Sequence, residues 1–96
     1  MITKIISTEQ GNVISNTEVT RLDNGQMLLH IVSRLGETVH EHRVTIGAED
    51  GVDRVSSLSE EELQDILQSH LDEKRNEAVR VLAGRARVVK ISGNLV

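Results

Sequence analysis

Not one of the 96 residues is Phe, Tyr or Trp, so any core has to be assembled from Ile, Leu and Val. Each of these contributes roughly 1.5–3 kcal/mol when fully buried. The large areas that aromatic rings remove from water are missing, and a chain this short leaves much of its surface exposed even when folded. The expectation is a single domain, modestly stable alone, for which contact with other copies would add burial. Hydrophobic residues at 38% and charged residues at 27% supply enough apolar content to fold and argue against disorder.

Turn chemistry organises the first half, residues 1–47, into strands. Asp23-Asn24-Gly25 is the strongest hairpin signal, because Asn and Gly tolerate positive φ. It joins a strand at Asn12–Leu22 to one at Gln26–Arg34. A second turn at Leu35-Gly36 leads into Glu37–Ile46, and that register sets Arg34 opposite Glu37 and His30 opposite Glu41. Two opposite-charge pairs in register support the pairing. A turn near Gln10-Gly11-Asn12 adds Ile2–Ser7, giving an antiparallel meander of three or four strands.

Residues 48–58 read as a linker, and 59–84 as a helix with its stops. Ser59 followed three positions later by Glu62 is a capping box, with Leu58 and Leu63 placed as a hydrophobic staple. Glu60 and Glu61 add negative charge at the positive end of the helix dipole. Leu63, Ile66, Leu67, Leu71, Ala78, Val79, Val81 and Leu82 recur at helical spacing, and Gly84 ends the run. The intervening Asp72–Glu77 is almost wholly polar. A helix of about 36 Å with such a waist is expected to project beyond a small sheet. In the tail, 85–96, Ala86–Ser92 reads as a short strand at a sheet edge of the same or a neighbouring subunit. The fold class is α+β.

Charge is sorted along the second half. Gly47–Glu73 holds nine acidic residues against Arg54 alone, whereas Ala78 onward holds Arg80, Arg85, Arg87 and Lys90 with no acid. A continuous helix across that junction makes a rod with an acidic and a basic end. Copies of such a rod can stack.

Chemistry that would point to an enzyme is missing from the pattern. With no cysteine, disulfides, thiolate zinc sites and cysteine nucleophiles are excluded. His40 and His42 share one side of a strand, but no third ligand has metal-site spacing, so they read as covering aliphatic surface. His70 reads as a boundary residue and His30 as a surface partner of Glu41. Glu49-Asp50-Gly51-Val52-Asp53 lacks the ligand alternation of a calcium loop. The glycines fit turns, not a phosphate loop, and no serine lies in a nucleophile elbow. Neither catalytic residues nor cofactors nor metals are expected. Arg75, Arg80, Arg85, Arg87 and Lys90 could line phosphates at a helix end. However, no aromatic is available for base stacking, and the neighbouring acidic stretch opposes nucleic acid. No apolar run reaches the ~20 residues of a membrane span, and Met1–Ser7 is too short and polar for a signal peptide, so a cytoplasmic protein without membrane contact is expected.

The β-rich half leading into Leu58-Ser59-Glu60-Glu61-Glu62-Leu63-Gln64 and the Glu/Arg/Ala-rich helix 71–83 resembles small accessory proteins of tailed-bacteriophage morphogenesis. The resemblance covers the whole chain and rests on architecture. It implies a multi-copy virion component of neck, tail or baseplate. The function expected is thus non-enzymatic assembly through protein–protein contacts, as a homo-oligomer that also meets other assembly subunits. Its contacts would run along Leu67, Leu71, Ala78, Val81 and Leu82, with Glu61, Asp65, Arg80 and Arg85 setting register. The alternative is a small phage-encoded regulator that binds a host protein through the acidic face. A third class is a nucleic-acid factor using the basic tail.

Overall fold

Four successive antiparallel strands form a meander, and the chain's last strand returns to complete it. The computed structural model describes residues 1–94 and Val96; Leu95, in the expected tail, lies outside the described residues. The strands are β1 (Ile2–Thr8), β2 (Gly11–Arg21), β3 (Met27–Leu35) and β4 (Thr38–Ile46). Short 3-10 turns at Ala48–Asp50 and Val55–Ser57 lead into α1 (Glu60–Ala83), and β5 (Val88–Gly93) follows. The sheet order is β4-β3-β2-β1-β5, so the tail strand adds antiparallel to β1 of its own chain. The architecture is α+β.

Glycine placement decides the hairpins. At the first strong turn, Leu22 N donates to Gln26 O at 2.8 Å and Gly25 N to Leu22 O at 3.0 Å. Gly25, at φ 86, supplies the positive-φ residue after a tight turn over Asp23 and Asn24. The β3–β4 register differs from the sequence expectation. The loop is Gly36-Glu37, not Leu35-Gly36, so Leu35 pairs with Thr38, Arg34 with Val39 and His30 with Arg43. The cause is steric: this two-residue turn needs a positive-φ residue first, and Gly36 at φ 61 provides it where Leu would be strained. Because the shift is by two partners, every side chain stays on its expected face. His30 reaches Glu41 diagonally at 2.9 Å, and Arg43 meets the same carboxylate oxygen at 3.0 Å.

At the other edge, Gly93 is required for β5 to close onto β1. Its φ is 115, and a Cβ there would lie 2.3 Å from Thr3 O. That close approach lets Asn94 hold Thr3 twice, N to Thr3 O at 3.0 Å and Oδ1 accepting from Thr3 N at 2.6 Å.

One sheet face is covered by α1, which lies across β2, β3 and β4. Strand alternation sends Val13, Ser15 and Thr17 of β2 and Met27, Leu29, Ile31 and Ser33 of β3 beneath it, all buried. The helix therefore does not project, contrary to the sequence expectation. About 36 Å of helix fits only along the 41 Å dimension of a molecule whose other extents are 22 and 20 Å. Both halves of its apolar face find apolar sheet. Leu71 joins Met27, Leu29, Ile31, Ile46 and Val55 in one cluster, while Val79 and Ala83 join Ile6 and Val13 in another. Between them the sheet carries a polar rung, Gly93–Lys4–Ser15–Ser33–His40 across five strands. The polar waist of the helix falls midway between the same clusters. Ser33 Oγ donates to Ser15 Oγ at 3.1 Å, which satisfies two of the buried hydroxyls.

The helix start forms as its residues dictate. Ser59 Oγ accepts from Glu62 N at 3.2 Å, and Ser59 N donates to Glu62 Oε1 at 3.0 Å. The backbone hydrogen bond from Ser59, then its side chain, holds the Glu62 carboxyl below its ordinary 4.5; the hydrogen bond to His30, then Arg43, does the same for Glu41. A carboxyl whose folded value is depressed contributes stability that is complete above its unfolded value and lost as pH falls through the folded one. Urea midpoints should therefore begin to fall below pH about 4.5. Ser59→Ala should lower the neutral-pH melting temperature by about 4–8 °C, whereas Glu62→Gln, which removes the depressed carboxyl itself, should flatten that acid limb. An unchanged limb in Glu62→Gln would contradict the assignment.

Candidate interaction surfaces

The stripe proposed from sequence for intermolecular contact divides in two. Leu71 and Ala78 are buried at 0% and 1% exposure, and half-buried Leu67 and Leu82 pack against the two core clusters. Leu71 and Ala78 are consumed by the chain's own sheet, a correction to their expected place in a contact surface, whereas Leu67 and Leu82 keep part of their surface open. Periodicity identifies a face that must be covered but not what covers it. Of the five, only Val81 points outward, at 63% exposure.

The charged residues of the same set all lie open. Glu61 and Asp65 are exposed in the first turns of α1 and, with Glu60 and Gln64, border a shallow groove of about 360 Å³. Arg80, in the last turn, and Arg85 and Arg87, beyond it, are exposed at the opposite end. Since the helix runs along the long axis, the acidic and basic groups occupy opposite poles. Arg75 does not belong to the basic pole, contrary to its grouping in the sequence. It is buried at 4% exposure between the two clusters.

Near the basic pole β5 is last in the strand order, and among the described residues its outer backbone edge has no strand beside it. Val88, Val89 and Ile91 are exposed there at 42%, 63% and 61%. The pairing with β1 shifts between Ser7 and Thr8, a bulge that leaves Val89 without a partner in the ladder. The start of β5 is tied down by Glu9, whose N donates to Arg87 O at 3.1 Å and whose Oε1 accepts from Arg87 N at 2.9 Å.

The histidines bring two further arrangements. His70 Nε2 lies 2.8 Å from Asp50 Oδ1, while Asp50 Oδ2 accepts from Gly47 N at 3.1 Å. The pair thus fastens the 47–51 turn to the helix. His40 and His42 stack with centroids 6.2 Å apart and 5° between planes. His42 lies opposite Ile31, and His40 opposite Ser33. Among the described residues, no group of three or more His, Asp or Glu is placed to hold a metal ion, and no helix is long and apolar enough to cross a membrane.

Sequence reasoning missed two of these features. Arg75 is four residues after Leu71 and four before Val79, so helical spacing alone places it on the buried face. The His70–Asp50 contact joins groups twenty positions apart in the sequence and has no local signature.

Compared with known proteins, the chain matches no family model, no curated protein and no solved structure.

Proposed function

We propose that this protein is a non-enzymatic assembly subunit whose copies associate head to tail, acidic pole against basic pole. We place it as a multi-copy component of a tailed-phage neck, tail or baseplate. The observation that carries the reading is the polar separation of charge: Glu60, Glu61, Glu62 and Asp65 at one end, Arg80, Arg85 and Arg87 at the other. Along the helix their separation runs from about 22 Å between Asp65 and Arg80 to about 36 Å between its two ends, two to four times the Debye length of about 8–10 Å at 0.10–0.15 M salt. The poles therefore do not neutralise each other within one molecule, but they can across two. Such charges fix orientation and speed encounter more than they supply affinity. Exposed Val81, Val88 and Val89 offer apolar area to bury on contact. A head-to-tail contact is heterologous, so repetition builds a ring where the rotation closes and a filament where it does not.

Sedimentation at roughly 0.05 M and 0.5 M salt tests this. Self-association should weaken at least tenfold at the higher concentration. Arg80→Glu with Arg85→Glu should abolish it at the lower one, and adding Glu61→Lys with Asp65→Lys should restore it. A monomer indifferent to salt would sink the reading and bring forward the small regulator that engages a host protein through Glu60, Glu61 and Asp65.

A further inference from the structure

We propose that the outer edge of β5 pairs antiparallel with β5 of a second copy, about a twofold axis at Ile91, so that two five-stranded sheets join into one. The contact is independent of the charged poles and adds a second kind of interface to the head-to-tail one.

The two edges of the sheet meet solvent differently. An edge strand presents a row of N–H and C=O groups to any passing strand unless charge or cover blunts it. β4 is guarded: Glu41 and Arg43, joined at 3.0 Å, alternate with His40 and His42. β5 carries Val88, Val89 and Ile91 in the open, with Lys90 as its one charge. Among the described residues no strand lies beyond it. Nor does the helix cover it, because α1 lies across β2, β3 and β4. Ile91 sits opposite Ile6 on the helix side of the sheet, yet Ile6 is 4% exposed and Ile91 61%. Burial along that rung stops one strand short of the edge.

The sequence of β5 selects the occupant, since a twofold contact needs a surface that complements itself. With the axis at Ile91, Ile91 faces its own counterpart, Lys90 faces Ser92, and Val89 faces Gly93. Each larger residue beside the axis thus meets a small one, and no like charges oppose. An axis at Lys90 would set two ammonium groups against each other, which is destabilising. An axis between two residues would bring helix-side positions against outer-face ones, which the pleat forbids. An axis at Ser92 would draw in Asn94, whose N and Oδ1 are both engaged by Thr3. Each α1 stays over its own β2, β3 and β4, and both helices lie on one face of the joined sheet. The pairing spans Val89–Gly93 on each side, far less than the roughly 20–30 residues of a stable interface. It is therefore weak, with a dissociation constant on the order of 1 mM, and does not register at the micromolar concentrations of sedimentation.

The chain has no native cysteine, so single cysteines report the register, at about 0.5 M salt to screen the pole contact. Opposite Cα atoms in an antiparallel pair lie about 4.5–5.5 Å apart, within disulfide reach. Ile91→Cys should therefore cross-link at least about tenfold faster than Val89→Cys. Val89 is as exposed as Ile91, but its counterpart is displaced by the span from Val89 to Gly93, about 13 Å along the strand. Val39→Cys, on the guarded β4 edge, should be as slow as Val89→Cys. In the wild type, amides of Lys90–Gly93 should shift as the protein is concentrated from about 0.05 to about 1 mM. Ile91→Lys, which opposes two charges at the axis, should lose those shifts and keep the melting temperature within about 2–4 °C. Arg80→Glu with Arg85→Glu should keep them, so the edge and pole contacts fail separately. The proposal is overturned if Val89→Cys or Val39→Cys cross-links as fast as Ile91→Cys. It is overturned equally if the β5 amides do not move with concentration, or move as much in Ile91→Lys.

Discussion

Leu71→Ala should remove about 2–5 kcal/mol of folding stability. Leu71 is fully buried at the contact between α1 and the sheet, packed in the cluster of Met27, Leu29, Ile31, Ile46 and Val55. Truncation loses the transfer free energy of the removed methyls and leaves a cavity that flanking β-branched side chains fill poorly. A domain of this size typically has about 5–15 kcal/mol in all, so the loss is a large share of the total. With no aromatic residue elsewhere to anchor the core, little compensates. In urea the midpoint should fall with the slope unchanged. Val81→Ala, about six helical turns after Glu60 and exposed, should change folding by less than about 0.5 kcal/mol while weakening self-association. If Leu71→Ala instead folded normally and failed only to associate, the helix would be packed against another molecule and the fold described here would be wrong.

Arg75→Met should make the protein more stable in chloride buffer, by about 1–4 kcal/mol. Removing a charged residue from a helix would ordinarily be neutral at best. Here the guanidinium has been taken out of water, and no partner among the described residues recovers the lost hydration of Nε and Nη2. Methionine is unbranched, similar in length and free of donors, so it can fill the same path across the seam. Arg75→Ala is the control: it removes the same charge but leaves a void, and should stabilise less or destabilise. Equilibrium unfolding of the three proteins decides the matter. A midpoint for Arg75→Met below that of the wild type would show that the guanidinium is matched by something else, and the seam would need another description.

Local signals in the sequence were sufficient for the elements themselves. The capping box at Ser59–Glu62 and the stop at Gly84 place both ends of α1, because cap chemistry is decided within a few residues. Strand positions follow from turn glycines in the same way. The β3–β4 register was misread by one turn position because Leu35-Gly36 and Gly36-Glu37 are both two-residue loops. Only the demand for positive φ at the first position separates them. Non-local facts were not legible. That β5 pairs with β1 of its own chain depends on a partner more than eighty residues away. The helix stripe gave the face to be buried but not its cover. Arg75 is grouped with the basic end in the sequence and lies inside in the fold, because a count of apolar residues passes over a charge on the buried face. Of the residues proposed for contact, Glu61, Asp65, Arg80 and Arg85 are exposed at the poles, whereas Leu71 and Ala78 lie inside.

The pairing of Lys4 with Gly93 governs how the protein can be made. A nascent chain on the ribosome can form the hairpins from β1 to β4 early, since each closes a short loop. The edge of β1 then stays bare until β5 has been synthesised, and a bare edge is a template for another chain. Polysomes, where many incomplete copies stand side by side, are where mispairing would be most acute. Synthesis rate between Ile46 and Gly93 thereby becomes a determinant of yield.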